Sequence, residues 1–273
     1  MIKYNRKFNK NVNVCYICID NTHKITDNYT KELIKNIREF YPNSYYIFLG
    51  DGGDDRYDMC KQYNVEYYQS QRQLGYPQEP YGYKLETVLE FWERMYIACF
   101  RANTTHLVYL EDDVKLLKPL TFPDVDVYGF DTAFANGERF PNGFTDEFIS
   151  IIEKYSGVKP NVNGYGAPGG TIFKVKTFLD NYNHIKEWAE KNFTYIQYNV
   201  YDKMGWHDSF NTYYFLLAGK KYVKNPNVVN VFDPEHTNTY DYYGHYEYPT
   251  IFKMIKGIPD HIELLHNYKT YYV

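Results

Sequence analysis

Three consecutive carboxylates, Glu111, Asp112 and Asp113, close the apolar run Leu107, Val108, Tyr109 and Leu110. Like charges this close repel and raise one another's pKa unless something positive sits among them. A hard divalent cation such as Mn2+ or Mg2+ meets that need, taking carboxylate oxygens and completing its shell with phosphate and water. Extended geometry would send Glu111 and Asp113 to one side of the chain and Asp112 to the other. A diphosphate would complete such a site. The plain alternative is a solvated acidic turn leading into the charged stretch 115–118. A second acidic group, Asp51, Asp54 and Asp55 among Gly50, Gly52 and Gly53, reads either as a nucleotide-contact loop or as a connecting turn.

Such residues need a frame. The spacing predicts a buried strand over 12–19 and a helix over 30–41, with Leu33, Ile34, Ile37 and Phe40 on one stripe and Pro42 as its stop. A strand over 45–49 runs into the turn-rich 50–55, followed by a short helix over 56–62 and a strand over 65–68. A longer helix over 83–101 carries Leu85, Val88, Leu89, Trp92, Met95, Tyr96 and Cys99, and a strand over 106–110 leads to the acidic trio. Alternation of strand and helix predicts the α/β class with a mostly parallel central sheet. Such sheets bind ligands outside the carboxyl ends of their strands, where both acidic groups fall. The second half is less regular. It reads as a strand over 126–130, a helix over 146–155, a glycine stretch over 164–170 entering a strand at 171–175, helices over 177–181 and 184–192, a helix over 208–218 and a strand over 228–232. The remainder reads as irregular, wrapping the cleft. No repeat and no long linker divides the chain.

Composition removes some functions. Lys+Arg is 30 against Asp+Glu 34, a formal charge of -4, so no basic excess offers itself to nucleic acid. Tyr 33 and Phe 18 dominate an aromatic content of 20%. Coding bias explains this, or some of the rings line a sugar-binding cleft, stacking and hydrogen-bonding through their hydroxyls. Cys15 and Cys18 have CxxC spacing but lie inside an apolar strand, so they read as plain thiols rather than a redox pair at a helix start. No apolar run is long enough to span a membrane, and the N-terminal stretch lacks the pattern of a signal peptide.

The segment from His106 to Val114, with its Glu-Asp-Asp centre, resembles the DxD segment of GT-A glycosyltransferases. It is similar to the form found in the inverting N-acetylglucosaminyltransferase I group and in the LPS/collagen galactosyltransferase group. The resemblance implies a GT-A fold, a Rossmann-like arrangement for nucleotide-diphospho-sugars. It implies that Asp113 coordinates Mn2+ (or Mg2+), that Asp112 meets ribose or sugar, and that Glu111 supports them. The glycine stretch with Gly169 and Gly170 resembles the loop lying under the acceptor and donor sugar, where glycine allows close backbone approach. Gly205, Trp206, His207, Asp208 and Ser209 resemble the segment carrying the general base. Asp208 is then the catalytic candidate, although an aspartate before a helix is also an N-cap, and His207 is a donor contact. The family places base and ribose contacts at the exits of the first two strands, here Asp20 and Asp51. Lys84 opens the long helix and is the candidate for the diphosphate or sugar, with Arg72 a similar one. A C-terminal histidine often adds a metal ligand. Among His236, His245, His261 and His266, the first is preferred.

The expected organisation is one domain over 1–273: a nucleotide-binding half over 1–118, an acceptor and catalytic half over 119–235, and a C-terminal segment over 236–273. The expected partners are a nucleotide-sugar donor, with UDP as the family default, and a glycan or other hydroxyl-bearing acceptor. A homodimer is left open. Without the membrane anchor and stem of the N-acetylglucosaminyltransferase group, a soluble cytoplasmic enzyme is expected, from a bacterium or a large virus, in the latter case in the host cytoplasm. Three alternatives stand beside the inverting reading: a retaining enzyme of the same fold, a nucleotidylyltransferase, and a non-catalytic carbohydrate-binding protein.

Overall fold

The computed structural model describes residues 14–20, 26–50, 55–69, 85–102, 104–111, 114–116, 119–129, 146–162, 170–196, 209–224, 228–230 and 251–253. Its first half alternates strictly: β1 (Val14–Asp20), α1 (Thr26–Phe40), β2 (Tyr45–Gly50), α2 (Tyr57–Gln62), β3 (Glu66–Gln69), α3 (Leu85–Ala102) and β4 (His106–Glu111). Two short strands follow, β5 (Val114–Leu116) and β6 (Val127–Gly129), then α4 (Asp146–Ser156). Next come β7 (Thr171–Lys174), α5 (Val175–Ile196), α6 (Ser209–Leu217), β8 (Tyr222–Lys224), β9 (Val228–Asn230) and β10 (Ile251–Lys253).

Seven strands form the main sheet in the order β3-β2-β1-β4-β7-β6-β8. The first four are parallel. β7 runs antiparallel to both β4 and β6, and β8 runs parallel to β6. A small sheet, β5-β10-β9, is not hydrogen-bonded to the main one but shares its α1-side core through Leu116. The mostly parallel α/β architecture expected from strand–helix alternation is therefore present.

Alternation along the strands explains the layering. Tyr45, Ile47 and Leu49 of β2, with Leu107 and Tyr109 of β4, join a core that includes Phe91, Trp92 and Met95 of α3, Phe178 and Ile185 of α5 and Tyr213 and Tyr214 of α6. Tyr46 and Phe48, with Val108 and Leu110, face the other way and pack with Leu33, Ile34 and Ile37 of α1 and Cys60 of α2. The sheet is thus covered on both sides, as a parallel sheet must be. α3 buries Phe91, Trp92, Met95, Ala98, Cys99 and Ala102, one face of a 3.6-residue repeat. Cys60 and Cys99 are buried free thiols, and Cys15 and Cys18 lie on the central strand.

Four expectations about elements change. The two helices expected over 177–181 and 184–192 are one, α5, with a non-helical residue only at Asn192 (φ -116°, ψ 15°). Asp180, Asn181 and Asn183 read as a break because such residues favour turns. Yet the Asn181 amide donates back to Thr177 O at 2.7 Å, while Phe178, Tyr182 and Ile185 bury their side chains and carry the helix through. β5, β8 and β10 have no counterpart in the sequence pattern, and residues 251–253, expected to be irregular, form the middle strand of the small sheet. Three-residue strands are too short to show a period, and their partners are distant in sequence. Among the described residues no helix is long and apolar enough to cross a membrane.

Candidate functional site

The strand order determines where a ligand can sit. β1 leads to β2 and β3 on one side, and the chain then returns through α3 to place β4 on the other side of β1. At such a switch in direction the helices diverge and leave a crevice outside the carboxyl ends of the strands. Asp20, the last residue of β1, lies opposite Gly50, the last of β2. Ile19 lies opposite Glu111, the last of β4. Adjacent strands are about 4.8 Å apart, so the backbone brings Asp20, Gly50 and Glu111 to one short edge flanking the crevice.

The antiparallel strand β7 delivers a fourth segment to the same edge. It begins at Thr171, opposite Tyr109, so its start meets the end of β4. The preceding Gly170 is buried, adopts φ +91°, and donates its N–H to Tyr109 O at 2.8 Å. That φ strains any residue with a Cβ, so the backbone itself calls for glycine here.

Several expected site residues fall outside the described residues: Asp51, which follows Gly50; Lys84, which precedes Leu85 of α3; Asp112 and Asp113, between Glu111 and Val114; Gly169, before Gly170; His207 and Asp208, before Ser209 of α6; and His236. The described chain supplies their immediate neighbours. Gly50, Glu111 and Gly170 share the carboxyl edge. α6 follows Asp208 directly, and its Tyr213 and Tyr214 pack edge-on against Trp92 of α3, at 5.5 and 5.3 Å between ring centroids.

Two of the buried polar residues, Arg94 and Asn36, carry no expectation from the sequence. Arg94 of α3 is fully buried, with its guanidinium 3.8 Å from the carboxylate of Glu90, one turn nearer the start of the helix. The far end of α3 is anchored at the sheet's amino edge, where Arg101 pairs with Glu66 and the Tyr45 hydroxyl donates to Glu66 at 2.7 Å. α3 therefore begins at the carboxyl edge, with Glu90 in its first half and Arg94 at its middle. Tyr68, next to last on β3, is close enough to feel the pair. Burial first, then Glu93 and Glu90, push its hydroxyl above the usual value, and Arg94 partly opposes them. A buried cation is costly unless paired, and Glu90 supplies a partner to Arg94. Asn36 of α1 is the other, with its amide bonded to both backbone groups of Leu116. The signal available in sequence was the same for both: a polar side chain on the apolar stripe of its helix.

The crystal structure of galactosyltransferase LgtC in complex with donor and acceptor sugar analogs is similar to this chain, with a TM-score of 0.50 and 12% identity, over 88% of this chain and 86% of that one. The likeness is one of fold. No family model and no curated protein matches the sequence. The chain shares the fold of that structure, and the carboxyl ends of β1 and β4 flank the switch point of its sheet.

Proposed function

We propose that this protein is a metal-dependent glycosyltransferase that moves a sugar from a nucleotide sugar, with UDP as the nucleotide, to a hydroxyl of a glycan or other acceptor. One observation carries the reading: the carboxylate-bearing ends of β1 and β4 meet the glycine entry of β7 at the switch point of a parallel sheet. The similarity of fold to a galactosyltransferase supports it.

Carboxylate oxygens are the donors that Mn2+ or Mg2+ takes, so the residues at this edge fit such an ion. Asp113 and His236 would hold it, with Glu111 and Asp112 beside them. When bound, the ion supplies charge neutralisation for the departing diphosphate. Asp20 and Asp51 orient base and ribose. Lys84 adds positive potential on the donor side. The backbone at Gly169 and Gly170 passes under the sugar, with His207 beside the donor. Asp208 removes the proton of the acceptor hydroxyl as its oxygen bonds to the anomeric carbon. The bond from that carbon to the diphosphate oxygen breaks on the opposite face, and its electron pair leaves with the diphosphate. The configuration inverts.

A thermal-shift screen of UDP-, GDP- and CMP-sugars with and without Mn2+ tests the reading, followed by measurement of nucleotide release. A UDP-sugar should raise the melting temperature only when Mn2+ is present, and Asp113→Ala should abolish that increment. If no nucleotide sugar shifts the transition, the reading fails. If Asp113→Ala keeps the shift, the metal assignment fails. Asp208→Ala should bind donor normally and lose about 100-fold or more in transfer rate, the usual contribution of a general base.

A further inference from the structure

We infer that the outer face of α3 and α5 carries a second binding site, remote from the crevice, where the ring of Phe100 receives the apolar face of a neutral glycan. The inference goes beyond the functional reading above and holds whether or not the crevice transfers sugar.

Phe100 lies in the last turn of α3 and is 69% exposed, the most of any large hydrophobic residue among those described. The core-facing stripe of that turn is Ala98, Cys99 and Ala102, so the ring stands on the solvent side of the helix. It is held there in a row of rings. It lies within 13° of parallel to Tyr96, one turn earlier, at 6.2 Å between centroids. Tyr96 in turn stacks on Tyr182 of α5 at 4.3 Å and 29°. Tyr182 is only 7% exposed and packs on the fully buried Phe178, so the row is rooted in the core and open at Phe100. α3 ends at the sheet's amino edge and α5 starts there, directly after β7, which places Phe100 toward the edge opposite the crevice.

The rim of the row is polar and mixed in charge. Burial raises the pKa of the Tyr182 hydroxyl, and Glu93, Tyr96 and Glu190 raise it further, so both carboxylates lie near the row. Glu93 and Tyr96 share a face of α3 with Phe100, as Lys186 does on α5 with Tyr182 and Glu190. From Glu93 to Phe100 the helix advances about 10 Å, longer than one sugar ring. The face of an aromatic ring is electron-rich and attracts partial positive charge. A pyranose offers that charge in a patch of C–H groups, and its hydroxyls can bond the carboxylates and the ammonium at the rim. Other occupants fit worse. A second copy or another protein needs about 800 Å2 on each side, whereas one exposed ring offers on the order of 200 Å2. Nucleic acid or an anionic lipid surface would bring phosphates against Glu93 and Glu190.

The test is saturation-transfer NMR with isothermal titration of the whole protein, without nucleotide or metal. The probes are cellotetraose, maltotetraose, mannotetraose and tri-N-acetylchitotriose. At least one should bind, with its ring C–H protons receiving the strongest saturation. Phe100→Ala should weaken that binding about tenfold or more, the scale of loss when a central contact aromatic is truncated. Phe100→Trp, with a larger ring face, should keep it. Both variants leave the buried stripe of α3 unchanged and should melt with the wild type. The inference is overturned if none of the four binds, if Phe100→Ala leaves binding untouched, or if Phe100→Trp loses as much as Phe100→Ala. Self-association of the wild type that Phe100→Ala abolishes in sedimentation velocity overturns it as well, since the ring would then serve a second copy. Each of these failures leaves the reading of the crevice standing, because neither nucleotide sugar nor Mn2+ enters the measurement.

Discussion

Gly129→Ala probes the half of the sheet beyond β4, where a missing side chain is used as space. A Cβ at Gly129 would stand 2.0 Å from the Tyr222 hydroxyl oxygen, 2.7 Å from Cζ of that ring and 2.8 Å from Thr171 Oγ1. Uncharged heavy atoms in contact prefer about 3.5–4.0 Å, so all three are overlaps. Tyr222 is 2% exposed and Thr171 is 0%, which leaves the ring no room to swing away. Overpacking of this kind costs about 1–3 kcal/mol, and the trapped ring argues for the upper end. Removing the hydroxyl with Tyr222→Phe clears the worst overlap but leaves Cζ at 2.7 Å and Thr171 Oγ1 at 2.8 Å. The double variant should therefore recover part of the loss, with a coupling of about 1 kcal/mol between the two sites. Urea unfolding of the wild type, both single variants and the pair measures this directly. A Gly129→Ala protein within about 0.5 kcal/mol of wild type, or a cycle additive within that margin, would show that the hydroxyl does not occupy this space in solution.

His106 gives a pH dependence of known sign. Burial depresses its pKa, Lys174 lowers it further, and Asp124 partly opposes them; its Nδ1 lies 3.0 Å from Thr105 Oγ1, its ring packs on Phe122, and its Nε2 is enclosed. The fold thus prefers the neutral ring, and the unfolded chain takes up the proton first. The stability it contributes is present above about pH 6.5 and is lost as pH falls through the lowered folded value. His106→Gln should flatten the acid side of the melting-temperature profile, and an unchanged slope would refute this. Trp92 is 0% exposed and meets Tyr213 and Tyr214 of α6 edge-on, so Trp92→Ala should cost about 3–5 kcal/mol by calorimetry and Trp92→Phe far less. Equal losses in the two would show that the indole is not what joins α3 to α6.

The first half of the fold was legible because each element there is long enough to complete its own period. α1 shows Leu33, Ile34 and Ile37, and α3 shows Phe91, Trp92, Met95, Ala98 and Cys99, several turns of one stripe. β5, β8 and β10 have three residues each, and their identity depends on partners rather than on pattern: Leu116 on Ile251, Tyr222 on Val127. Sequence pattern divides α5 in two because local propensity at Asp180, Asn181 and Asn183 points one way while burial of Phe178, Tyr182 and Ile185 points the other. Burial prevailed, as it does when a helix is held by tertiary packing rather than by its own turns.

Legibility of the site follows the same physics. Charged residues at the end of an apolar strand can be placed from sequence, because a parallel sheet sends all its carboxyl ends to one edge. Asp20 and Glu111 reach that edge by the register of β1 with β4. A polar residue on a buried helical stripe gives only a contradiction until its partner is known. Asn36 finds its partner in Leu116 and Arg94 in Glu90, the first far along the chain and the second one turn away. Such contradictions are informative in themselves. Leucine at position 36 would satisfy the stripe and leave two backbone groups of Leu116 without these bonds. Asparagine at this position ties β5 to α1 at the expense of a simpler core.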